Sequence, residues 1–180
     1  MSNMYCNKLY FSVAPLIPEV DITKFKDPQT KLSVSFINPE IKKLLNDVGI
    51  VVNYIELFCR PAGNISSIHC DEQGGDFTKI NWIYGGRGSD MAWYKVKDTT
   101  SSRTGSKTGV NTDYIAYQRN EVDIVHYEHL QGPYLVQVGA PHLVINPNEE
   151  RFCLCFVITD KNGNRITMEN SQALLRKFIV

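Results

Sequence analysis

His69 and Asp71 stand two positions apart in the stretch Gly63-Asn-Ile-Ser-Ser-Ile-His-Cys-Asp71. In extended backbone that spacing puts both side chains on one face, with Cα atoms roughly 6.5 to 7 Å apart at a rise of about 3.3 Å per residue. One cation could take both. A third ligand must come from elsewhere, and His142, in Val138-Gly-Ala-Pro-His-Leu-Val-Ile-Asn146, is the candidate. Two histidines and one carboxylate hold a ferrous ion from one side and leave the other side open for substrate and oxygen.

The polar residues around these ligands sit in strand-like runs. Lys79 and Asn81 share one face of residues 77–84, opposite Ile80, Trp82 and Tyr84. Along residues 151–156, Arg151, Cys153 and Cys155 face one way and Phe152, Leu154 and Phe156 the other. The turn at 146–150 would fold that strand back beside the strand of His142 as a hairpin. Both faces after Arg151 are apolar, as expected of a strand buried between two sheets. The competing reading leaves Arg151 at the surface, paired with Glu149 or Glu150. Trp82, Trp93 and Tyr94 read as core or pocket wall. His126 and His129, in a strand and at its end, read as surface histidines.

The elements that must carry these residues are mostly short strands. Residues 5–13 suggest a first strand, broken after by Pro15 and Pro18, and residues 32–36 alternate as a second. One strong helix signal follows: Asn38 can cap, Pro39 suits the first turn, Ile41, Leu44, Leu45 and Val48 line one face, and Gly49 ends it. This helix should lie on the outside of a sheet. Strands are then expected at 50–59, 77–84, 91–96, 121–127, 134–139, 142–145 and 151–158, with a closing helix at 171–178. So many short strands at regular intervals indicate a sandwich or barrel. Residues 97–111, rich in Thr, Ser, Gly and Lys, are expected to form a mobile loop that could close over a site and select substrate.

Composition removes several function classes. Lys plus Arg and Asp plus Glu number 19 each. With zero net charge and no block of one sign, neither a nucleic-acid groove nor a polybasic membrane tail is expected. The longest apolar runs, 50–55 and 153–158, are too short to span a bilayer. The first eight residues lack the features of a signal peptide, and the five cysteines show no Cys-x-x-Cys spacing, so neither a disulfide framework nor a zinc ribbon is expected. A reducing cytoplasm is the expected location. The sequence carries no signal for oligomeric state.

Gly63 six positions before His69, followed later by Gly139-x-x-His142-x-x-x-Asn146, resembles the two metal motifs of the cupin superfamily. Asp71 stands where many cupins have a second histidine. With that change, and with Arg151 nine positions after His142, the pattern resembles the Fe(II)- and 2-oxoglutarate-dependent oxygenases over roughly residues 51–158. The resemblance implies a mainly β fold, a double-stranded β-helix or jelly roll with a few flanking helices. Residues 1–180 would form one such domain, with 1–49 as N-terminal strands and a helix packed on the barrel. It implies that His69, Asp71 and His142 hold Fe(II) and that Arg151 pairs with the distal carboxylate of 2-oxoglutarate. Lys79 is the fallback anchor and Asn81 a further cosubstrate contact. Cys153 stands where the family usually has serine. The implied activity is hydroxylation of an unidentified substrate, a small molecule or a protein side chain. The alternative is a cupin-like metal-binding or ligand-binding module without 2-oxoglutarate turnover.

Overall fold

Two antiparallel sheets face each other in the computed structural model, which describes residues 3–72, 74–97, 106–107, 113–146 and 148–180. In chain order the strands are β1 (Cys6–Lys8), β2 (Gln29–Leu32), β3 (Val51–Arg60), β4 (Asn64–Ile65), β5 (Ile68–Asp71), β6 (Thr78–Gly85), β7 (Asp90–Val96), β8 (Ser106–Lys107), β9 (Asp113–Tyr117), β10 (Val122–His129), β11 (Gly132–Gln137), β12 (His142–Asn146) and β13 (Arg151–Thr159). The helices are α1 (Pro39–Asp47) and α2 (Met168–Leu174). The first sheet runs β1-β11-β6-β13-β3-β2 and the second β10-β7-β12-β5-β9-β8, with β4 added beside β12.

Eight of these strands pair in a nested order: β3 with β13, β5 with β12, β6 with β11 and β7 with β10. The first and third pairs lie in one sheet and the second and fourth in the other. That winding is the double-stranded β-helix, so the fold expected from the sequence is the fold observed.

The period of two along each strand sorts residues between the barrel interior and its outer faces. Phe77, Met91, Trp93, Val136, Val138 and Cys153 belong to a cluster between the sheets. The outer face of the first sheet is covered by α1 and the N-terminal segments, where Ile41 and Leu45 join Ile55, Leu57, Trp82, Phe152 and Phe156. Helix α1 starts as its sequence dictates, with the Asn38 side chain accepting from the Glu40 N–H at 2.9 Å, and it ends before Gly49 at φ +89°.

Several local expectations need correction. Only Cys6–Lys8 of residues 5–13 forms a strand: the Leu9 N–H still donates to the Pro133 carbonyl of β11 at 2.9 Å, but Leu9 also bridges Ile179 and the Tyr10 N–H turns to the Phe178 carbonyl at 2.8 Å. Leu32 ends β2 and Val34–Phe36 is a turn of 3-10 helix, since the Ser33 hydroxyl accepts from the Ser35 N–H and offers the backbone an alternative to the ladder. Strand β9 carried no clear apolar alternation and was not expected. The 171–178 helix is instead α2 plus a separate 3-10 turn, Arg176–Phe178. Most of 97–111 lies outside the described residues; within it Ser106–Lys107 pairs with β9. Every residue of β13 is buried, but one face meets the barrel interior and the other the α1 layer, not two sheets. Among the described residues no helix is long and apolar enough to cross a membrane.

Candidate metal centre

His69 and Asp71 point into the barrel from β5 because Ile68 and Cys70 are buried on the opposite face. His142 is the cross-strand partner of His69, on β12, and their ring centroids lie 4.5 Å apart. Each ring is fixed in the same way: His69 Nδ1 lies 2.8 Å from the Ser67 carbonyl and His142 Nδ1 lies 2.9 Å from the Ala140 carbonyl. A carbonyl only accepts, so each Nδ1 is the donor and each Nε2 keeps its lone pair for a metal. His69 Nε2 is 3.7 Å from Asp71 Oδ1, and ligand atoms of His69, Asp71 and His142 all lie within 4.8 Å of one another. Those donors fit a divalent cation of the ferrous kind.

Close backbone approach brings the ligands together. The Asp71 N–H donates to the Val138 carbonyl at 2.9 Å and the Gly75 N–H to the Gly139 carbonyl at 3.2 Å. A Cβ on Gly139 would lie 2.1 Å from the Gly75 oxygen, which is why the position three before His142 has no side chain. Gln137 Oε1 accepts from the Gly139 N–H at 2.8 Å and steadies the same segment.

The electrostatics depend on Lys79, which is 2 % exposed. Its ammonium lies 2.6 Å from Asp71 Oδ2 and 3.3 Å from Glu56 Oε2. Burial pushes the Asp71 carboxyl up, but the charges of Lys79, His142 and His69 and the Lys79 hydrogen bond outweigh it and hold the pKa at about 2. Burial, helped by His69, pushes His142 down to about 4, so its imidazole is neutral near pH 7. Lys79 stays charged: burial opposes its charge, and Asp71 and Glu56 raise its pKa well above the ordinary value. With Oδ2 held by Lys79, Asp71 presents Oδ1 toward His69.

All six residues singled out from the sequence line one cavity of about 90 Å³: His69, Asp71, Lys79, Asn81, His142 and Arg151. Arg151 reaches it by a different route from the expected hairpin. Strand β13 pairs with β3 and β6, not β12, so the turn after Asn146 carries the chain across to the opposite sheet. Arg151 is 4 % exposed and its Nε has no hydrogen-bond partner. The surface pairing does not occur, since Glu149 accepts from the Arg87 N–H and no carboxylate pairs with Arg151 among the described residues. Gly86, at φ +66°, lets the chain pass the arginine: a Cβ there would lie 2.8 Å from Arg151 Cβ.

Asn81 is 8 % exposed, with Oδ1 unpartnered. Phe58, Met91, Val138 and Val144 supply the apolar wall. Trp93 is core, its Nε1–H donating to the Gln137 carbonyl at 2.8 Å, and Trp82 and Tyr94 face outward into other clusters. Glu56 and Gln137 were missed by sequence reasoning. For Glu56 the signal existed: a lone carboxylate in the middle of the apolar run 50–59 needs a buried partner.

No family model matches the chain, and no curated relative does. Solved structures similar to it include an oxidoreductase of the 2OG-Fe(II) oxygenase family from Burkholderia pseudomallei, with 10% identity over 71% of this chain and 55% of that one and a TM-score of 0.41. Another is E. coli ycfD, with 13% identity over 67% and 29% and a TM-score of 0.38. Oxalate decarboxylase from Bacillus subtilis gives 14% identity over 63% and 24% and a TM-score of 0.31. The chain thus spans from 24% to 55% of the length of these three. The nested strand order, not these distant likenesses, defines the fold.

Proposed function

We propose that this protein is an Fe(II)- and 2-oxoglutarate-dependent oxygenase that hydroxylates a small molecule or a protein side chain. The observation that carries the reading is Arg151, a buried guanidinium without a carboxylate partner among the described residues, in the same cavity as His69, Asp71 and His142. A buried cation needs an anion, and a planar guanidinium meets a carboxylate with two parallel bonds. The chemistry supplied by bound iron and 2-oxoglutarate is oxidation of a C–H bond by dioxygen, with 2-oxoglutarate converted to succinate and carbon dioxide. His69, Asp71 and His142 would hold the metal through two Nε2 atoms and one carboxylate oxygen. Arg151 would fix the distal carboxylate of the cosubstrate, with the Asn81 amide beside it. Lys79 holds Asp71 in place, and Phe58, Met91, Val138 and Val144 keep water from the reacting atoms.

A second reading, a cupin-like module that binds metal or ligand without 2-oxoglutarate turnover, draws on Lys79. Its ammonium, 2.6 Å from Asp71 Oδ2, neutralises the carboxylate with or without a cation. Anaerobic addition of Fe(II) and then 2-oxoglutarate separates the two. The oxygenase gives a visible metal-to-ligand charge-transfer band on the second addition, and succinate forms once air is admitted. Iron binding with neither signal supports the module instead.

A further inference from the structure

His126, Trp93, His142 and His69 occupy one row across the second sheet, each the cross-strand partner of the next. Partners share a face, so His126 looks into the barrel beside Trp93 and is not a surface histidine. The cause is a bulge. Val125 has no partner between Ile124 and His126, and the extra residue re-aims the strand that follows. His126 and Glu128 then lie on one face, repeating on β10 the ligand spacing of His69 and Asp71 on β5. On the first sheet Cys6, Val136 and Lys79 form a matching row. Lys79 meets the first site, and Cys6 meets His126 on the far side of Trp93. Two strand steps, about 10 Å, separate the His126 and His142 backbones.

Cys6 Sγ lies 3.9 Å from His126 Nε2, which lies 3.5 Å from Glu128 Oε2. Tetrahedral zinc with bonds of about 2.0 to 2.3 Å keeps its ligand atoms roughly 3.3 to 3.8 Å apart. The three donors lie within 4.8 Å of one another. What occupies their centre is informative. Asn3 Oδ1 accepts from the Tyr5 N–H at 2.9 Å, which turns the Asn3 Nδ2 group toward His126 Nε2 at 2.8 Å and Cys6 Sγ at 3.7 Å. An amide NH2 only donates, so the imidazole lone pair and the sulfur converge on one electropositive group. A cation would take that place. The His126 ring is held by stacking on Tyr5, at 5.4 Å between centroids and 13° between planes. A cleft of about 440 Å³, lined in part by Asn3, Cys6 and Glu128, opens the cluster to solvent.

We propose that Cys6, His126 and Glu128 form a second metal site, which takes zinc and clamps β1, the edge of the first sheet, to β10, the edge of the second. Thiolate, imidazole and carboxylate supply three ligands, and water completes the tetrahedron. The role is structural: the ion closes the seam between two sheet edges that no backbone ladder joins. It is independent of the proposed oxygenase activity.

Cobalt(II) serves as the probe, because a thiolate ligand gives an intense near-ultraviolet charge-transfer band and the first site offers no sulfur among its three ligands. The His142→Ala chain, with its first site disabled, is expected to bind one equivalent of cobalt with that band and to release it to zinc. Cys6→Ser removes the band, His126→Gln weakens binding at least tenfold, and zinc raises the melting temperature only while both residues are intact. Asn3→Ala keeps or tightens binding. If His142→Ala does not fold, the same band is sought as a second equivalent in the unmodified chain. Absence of the band in folded protein overturns the proposal and leaves the cluster a hydrogen-bond hub around Asn3; a band that survives Cys6→Ser overturns it equally.

Discussion

His69 and His142 are direct cross-strand partners, and each donates its Nδ1–H to the carbonyl two residues before it. The two imidazoles are therefore presented to one point by the same local device on two strands. The geometry is fixed by backbone, before any cation arrives. Little ordering of these side chains remains to be done when a metal binds.

Replacing His69, Asp71 or His142 by alanine is expected to abolish stoichiometric iron binding while leaving the far-ultraviolet spectrum unchanged. His142 is the sharpest case, being neutral near pH 7 with only its Nε2 free. Metal analysis after anaerobic loading and gel filtration reads the result. Undiminished iron in His142→Ala would sink the triad.

Arg151→Ala is expected to keep its iron and lose its cosubstrate. Removing a bidentate, charge-assisted pair from a desolvated pocket costs on the order of 2 to 5 kcal/mol, about thirtyfold to several thousandfold in affinity. Arg151→Lys should recover only part of this, since an ammonium cannot reproduce the planar fork. Calorimetric titration of the Mn(II)-loaded variants with 2-oxoglutarate makes the comparison. Unchanged affinity in Arg151→Ala would remove the observation on which the oxygenase reading stands.

Lys79 is expected to behave differently, because its ammonium is already committed to Asp71 and Glu56. Lys79→Met leaves two buried carboxylates without their cation, and breaking a buried pair by removing one partner costs about 3 to 5 kcal/mol. Chemical denaturation should register that loss in metal-free protein, and Lys79→Met with Glu56→Gln should regain part of it. A Lys79→Met chain of full stability that has lost only 2-oxoglutarate binding would make Lys79 the cosubstrate anchor in place of Arg151.

What could be read in advance was whatever the period of two decides. The alternation of Arg151, Cys153 and Cys155 against Phe152, Leu154 and Phe156 fixed which side chains share a face, and the same held for Lys79 and Asn81. The His-x-Asp pair was legible for that reason. The partner of β13 was not, because a short connection after Asn146 fits a hairpin as well as a crossover to the other sheet. Local pattern also fails where one residue resets it: unpaired Val125 turns His126 inward, and the Ser33 hydroxyl ends a strand that alternation would continue. The Lys79 to Glu56 pair reaches across β13, from β6 on one side to β3 on the other, and no local pattern encodes it.

The arginine's position rests on a glycine, which supplies the last test. Gly86 holds φ +66°, and a Cβ there would lie 2.8 Å from Arg151 Cβ and 2.9 Å from its Cγ. Alanine in that left-handed conformation costs about 1 to 2 kcal/mol by itself. Relief of the contact requires the Arg151 stem to move, and its guanidinium moves with it. Gly86→Ala should therefore fold with modestly lower stability, keep iron at one equivalent and bind 2-oxoglutarate at least tenfold more weakly. Gly163→Ala is the control, since it shares a positive φ of +86° but has nothing within 4 Å of the added Cβ. It should lose similar stability and no cosubstrate affinity. Equal losses of affinity in the two variants would show that backbone strain alone, not displacement of Arg151, explains the result.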